Sequence, residues 1–134
     1  MTQSNIEVMR GGYEALARGD FDAIVELLDP EIEMHDRPEA PDASTYRGAA
    51  GARTALDATF DYFDDVSMEP EEFYERDDRV VVVITLRGRG KVSGVPVEER
   101  LAHLWTLREG RAYAMQAYTD PADALRAAGI DPPG

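Results

Sequence analysis

A chain of 134 residues with 43% apolar side chains is long enough for one folded domain and too apolar for wholesale disorder. Its net charge of −13 repels phosphate backbones and anionic membranes, and with no cysteine it has no disulfide, thiolate metal site or cysteine nucleophile. No stretch approaches the roughly 20 apolar residues of a membrane span, and MTQSNIEVMR lacks the basic start and oily run of a signal peptide, so a cytoplasmic location is the default expectation.

Along the chain, Ile6, Met9, Tyr13 and Leu16 recur at steps of three and four, which predicts a helix over about 4–18. Ser4 can cap it with Glu7 as capping-box partner, and Gly19 ends it. Asp20 caps a short second helix, FDAIVELL, which Pro30 stops. EIEMHD reads as a strand with Ile32, Met34 and Asp36 on one face and His35 on the other. The stretch 37–47, RPEAPDASTYR, reads as a loop. A third helix is expected over 48–63, striped by Leu56, Phe60 and Phe63, with Ala49 and Ala52 allowing close approach.

The remainder reads as strands: VSMEPEEFYER, then RVVVVITLRGRG, whose first half should be buried on both faces, then VPVEERLAHLWTLRE, then RAYAMQAYTD. Turns fall at Asp77-Asp78 and Glu109-Gly110. Asp120 caps a last short helix, PADALRAAG, and 129–134 form a tail. The order is α-α-β-α-β-β-β-β-α in a single domain, 1–134. Helices precede a run of consecutive antiparallel strands, so the class is α+β. A sheet curved strongly around three helices would leave a cavity between the layers.

The ordered set YEALARGDFDAIVELLDPEIEMHD, YRGAAGARTAL and HLWTLREGRAYAMQAYTD resembles the nuclear transport factor 2-like superfamily over residues 5–128. Within it, the chain is most similar to the SnoaL-like group, kin to ketosteroid isomerases and polyketide cyclases. The resemblance implies a cone-shaped fold with an internal pocket on the concave sheet face and a homodimer through the outer face. Counted from the GD corner, the isomerase base falls at Asp36. The position of its oxyanion tyrosine falls at Gly12, one residue before Tyr13, and that of its protonated acid falls at Ala102. Two oxyanion donors are therefore missing, each worth roughly 10²–10³-fold in rate, and the ketosteroid isomerase reaction itself is not expected.

With Ala102 inward, Arg100, Leu104 and Thr106 share the cavity face of their strand. Leu101, His103, Trp105 and Leu107 then form an apolar outer face suited to a second subunit. Tyr113, Met115, Ala117 and Thr119 point inward from the last strand. Met34, Tyr46, Phe60 and Phe63 complete the wall, with Tyr46 at the mouth. Candidate catalytic residues are Asp36 as general base, with Arg100 and Tyr13 as charge stabilisers. Each also has a plain structural reading: Asp36 as a strand-end acid bound by loop amides, Arg100 as a strand-start cation reaching water. Two histidines without an HxxxH-like spacing make no metal site, and no cofactor is required. Three functions follow: proton-transfer chemistry on a hydrophobic carbonyl or polycyclic compound, a non-catalytic binding module for a lipophilic metabolite, or a dimerisation or interaction domain.

Overall fold

The structure is a computed structural model that describes residues 4–37 and 44–133, with Thr59 and Tyr62 by backbone alone. Helix α1 (Asn5–Arg18) starts where Ser4 Oγ accepts the Glu7 N–H at 3.2 Å and ends at Gly19, whose φ of 69° turns the chain at the corner. Asp20 caps α2 (Phe21–Glu26) by accepting the Ala23 N–H at 3.1 Å. Strand β1 (Leu28–His35) begins two residues before Pro30. The proline is tolerated because the pairing of β1 with its neighbour is irregular between Leu28 and Glu33.

Most of the loop expected at 37–47 lies outside the described residues; its end, Thr45–Arg47, is a short strand, β2. Helix α3 (Gly48–Tyr62) follows at once. A Cβ on Gly51 would lie 2.9 Å from the Tyr46 backbone, so glycine is what lets α3 lie against β2. Phe63 opens β3 (Phe63–Arg76) instead of closing α3. β4 (Arg79–Gly90), β5 (Pro96–Arg108), β6 (Arg111–Tyr118) and α4 (Pro121–Ala127) complete the chain. The turn between β5 and β6 has positive φ at both Glu109 and Gly110, the geometry that matches strand twist in a two-residue hairpin.

The sheet order is β2-β1-β6-β5-β4-β3. All neighbours are antiparallel except β1 and β6, a parallel junction that chain-order reasoning does not reveal because the two strands are far apart in sequence. Register shifts at Asp64/Ser67, Pro70/Glu72 and Thr106/Leu107 bend the sheet into an open, unclosed curve. On the concave side lie α1, α2 and α3, with Val80, Val82, Ile84 and Ile32 in the core beneath them. On the convex side α4 sets Ala124, Leu125 and Ala128 against Val81 and Ala102. β4 is therefore buried on both faces from Val80 to Leu86, as its β-branched run predicts. Beyond α4, Ile130 of the expected tail also packs there, its N–H donating to Leu125 O at 2.8 Å. No described helix is long and apolar enough to cross a membrane.

Candidate functional site

Between the helices and the concave sheet face is a cavity of about 620 Å³. Its walls are mostly apolar: Met9 and Leu16 from α1, Ala52, Ala55 and Leu56 from α3, Phe63 and Met68 from β3. Three of the four α3 side chains facing it are alanines, Ala52, Ala55 and Ala58, and this keeps the hollow open on that side while α3 packs closely on β2.

The facing of β5 is the reverse of that expected. Leu101, His103 and Trp105 line the cavity, and Leu107 belongs to the same core. They are therefore unavailable to an outer-face dimer contact. Ala102 and Leu104 pack on the convex side under α4, and Thr106 alternates with them. Arg100 is also convex, exposed, and donates to Glu72 at 2.5 Å. The physical reason is that β5 is apolar on both faces, so alternation fixes which residues go together without saying which set faces in. The indole of Trp105, the bulkiest side chain on the strand, needs the deep helical layer, whereas Ala102 fits under a short helix.

Three further wall assignments are corrected. The bulge at Thr106/Leu107 brings Ala112 into the cavity and turns Tyr113 away, beneath the Arg108 guanidinium 4.0 Å from its ring. Thr119 follows the end of β6 and is exposed. Phe60 is 42% exposed and lines a small crevice among α1, α2 and α3 with Phe21 and Arg53. Met34, Tyr46, Phe63, Met115 and Ala117 do line the cavity.

Asp36 also lines it, just past the end of β1. Its Oδ2 accepts the Ser44 N–H at 3.2 Å, and its own N–H donates to Ser44 O at 3.1 Å. Gln116 Nε2 donates to the Asp36 carbonyl at 2.9 Å and ties the segment to β6. His35, on the opposite side, lies 3.1 Å from Thr45 Oγ1 and 3.4 Å from Glu33.

The buried end of the cavity holds a polar chain that alternation on the wrong phase conceals. Trp105 Nε1 donates to the Tyr13 hydroxyl at 2.9 Å, and that hydroxyl lies 2.7 Å from His103 Nδ1. Since the tyrosine oxygen already accepts from the indole, its proton is best placed on the bond to Nδ1. His103 is then the Nε2–H tautomer, with that N–H left for the cavity. The Tyr13 and His103 rings stack at 6.1 Å, with Trp105 edge-on to both. Burial pushes the Tyr13 hydroxyl's pKa up, so it stays protonated. Burial, aided by the positive charge of Arg37, pushes His103 down to about 4, so the imidazole is neutral at pH 7.

Arg37, the next residue after Asp36, is a lining residue that the sequence reading passed over. Its two terminal nitrogens donate to the two oxygens of Glu99, the longer bond being 3.4 Å. The pair reaches from the end of β1 across β6 to the concave side of β5.

Several solved structures share the whole fold. An NTF2-like protein from Burkholderia xenovorans LB400 is 28% identical, with 96% of this chain and 98% of that one aligned at a TM-score of 0.75. TerC, co-crystallised with polyporic acid, is 25% identical over 93% of this chain and 98% of that one, with a TM-score of 0.76. IdmH, a candidate polyketide cyclase from Streptomyces antibioticus, is 22% identical over 96% of this chain and 100% of that one, also at a TM-score of 0.76. No curated protein matches the chain. The family model described as SnoaL-like domain matches residues 9–115, and the chain belongs to that family.

Proposed function

We propose that this protein holds a hydrophobic carbonyl or polycyclic compound in its cavity and moves a proton on it. The observation that carries this reading is the Trp105–Tyr13–His103 chain: with Tyr13 donating to Nδ1, it leaves a neutral imidazole N–H on an otherwise greasy wall. A carbonyl oxygen placed at His103 Nε2 would meet a donor in a water-poor site, where such a bond discriminates strongly for developing negative charge. The carboxylate of Asp36 takes a proton from the carbon beside that carbonyl. The resulting enolate oxygen is stabilised by His103, backed by the Tyr13 hydroxyl. Return of the proton to another carbon of a conjugated enolate gives an isomer; attack of the enolate carbon on a second carbonyl of the same molecule closes a ring, the C=O π bond opening to an alkoxide that takes the proton back from Asp36. The likeness to a candidate polyketide cyclase and to a protein co-crystallised with polyporic acid supports this substrate class. His103 takes the stabilising role expected of Arg100, which lies on the far side of the sheet.

The test needs no known substrate. Incubated with 2-tetralone in deuterium oxide, the protein should speed deuterium uptake at the carbons flanking the carbonyl, followed by NMR. Asp36→Asn should return the rate to that of buffer. A non-catalytic binder is the second reading, favoured by the scarcity of polar groups among the described lining residues. It predicts ligand-dependent thermal stabilisation with no added exchange, and stabilisation that survives Asp36→Asn. The reading includes self-association through the outer sheet face. With Leu101, His103, Trp105 and Leu107 inside, that face is the ion-pair lattice of Glu69, Glu72, Arg87, Glu98 and Arg100. Sedimentation at low and high salt is the check.

A further inference from the structure

We propose that Arg37 is a second anchor in the cavity and selects ligands that carry a carboxylate or comparably acidic oxygen. This rests on the cavity being a ligand pocket, as proposed above, and adds a charge requirement to it. Among the described lining residues Arg37 is the only cation at neutral pH. Its side chain is 32% exposed and that of Glu99 33%, so neither member of the pair is freely hydrated. In the other described ion pairs at least one partner is more open. A partly desolvated guanidinium needs acceptors, and Glu99 supplies two.

Guanidinium has five N–H donors in a planar fork, and Glu99 engages only the terminal nitrogens, leaving donors for a second acceptor. Glu99 is not among the cavity-lining residues whereas Arg37 is, so the carboxylate backs the guanidinium from behind. The field of Arg37 reaches His103, which places both groups around the same space. The nearby acid, Asp36, has its carboxylate engaged by the Ser44 N–H. The polar fittings are thus a neutral N–H at the buried end and a held cation at the strand-end side. An aromatic compound with an oxygen at one end and an acidic group at the other satisfies both. A chain of net charge −13 otherwise repels such a ligand, so recognition has to be local.

Calorimetric titration at pH 7 with 2-naphthoate and its neutral counterpart 2-naphthamide tests this. The native protein should bind the carboxylate about tenfold or more tightly than the amide, as a charge-assisted bond implies. Arg37→Gln should bring the ratio to about one by weakening 2-naphthoate alone, and Arg37→Lys should restore part of it. Glu99→Gln removes the internal competitor and should tighten 2-naphthoate severalfold without changing 2-naphthamide. Equal affinities in the native protein, a ratio insensitive to Arg37→Gln, or 2-naphthoate binding that Glu99→Gln leaves unchanged or weakens would overturn the anchor, while binding of the amide would keep the pocket. If neither probe binds, the pocket reading falls with it. Thermal melts of each variant separate loss of the anchor from loss of the fold.

Discussion

Both faces of β5 carry apolar side chains, and they end differently. On the convex face, Ala102 lies under Ala124, Leu125 and Ala128, and all four are buried. On the concave face, Leu101, His103 and Trp105 look across about 620 Å³ of open space. The difference comes from the cover. Helix α4 is short and lies directly on the sheet. The helices of the concave side rest on the rim of a bent sheet and turn Gly12, Ala52, Ala55 and Ala58 towards it. A hollow therefore needs curvature from the bulges and small side chains on the helices at once.

That contrast can be broken by mutation. Leu125→Ala, at 2% exposure in the filled layer, should cost about 2–5 kcal/mol in denaturant unfolding. Leu56→Ala, beside a space already empty, should cost only about 1 kcal/mol, because little new cavity surface is created. Similar losses at the two sites would mean that the concave side is packed as tightly as the convex one.

The next effect is on pH. The folded pKa of His103 is about 4, below its ordinary 6.5, so its contribution is fully present above pH 6.5 and is lost as pH falls towards 4. The loss should reach at most about 3 kcal/mol. The imidazole faces Tyr13, Trp105 and the positive charge of Arg37. His103→Gln keeps a hydrogen-bond acceptor for Tyr13 without a titrating group. It should flatten this part of the stability–pH curve, read by unfolding at pH 7 and 4.5.

Tyr13→Phe strips a partner from both His103 Nδ1 and Trp105 Nε1 and should cost about 1–3 kcal/mol. It should also shift the emission of Trp105, the chain's only tryptophan. The smallest effect belongs to the convex charge lattice: Arg100→Ala removes an exposed ion pair and should leave the unfolding midpoint unchanged within error.

Much was legible before any coordinates. Ser4, Gly19, Asp20 and Asp120 mark helix ends by local hydrogen bonds that need no tertiary partner, and each stands where it was expected. The run from Val80 to Ile84 announces a strand buried on both sides, and it is one. Asp36 falls at the cavity because Ile32 and Met34 share its face on a strand with one wet side. Trp105 held the signal for His103: taking the bulkiest side chain as inward-facing sets the phase of β5 and puts the histidine two residues earlier beside it.

The sequence by itself determined the helices, their caps and the longer strands, since these depend on contacts within a few residues; the short β2 and the bulge that turns Tyr113 away were not among them. Only the tertiary structure decided which face of β5 looks inward, that β1 lies parallel to β6, and that Arg37 meets Glu99 across the intervening strand. Those are choices between layers and between strands distant in the chain. A period of two is blind to them when both faces are apolar and each finds a helix to cover it.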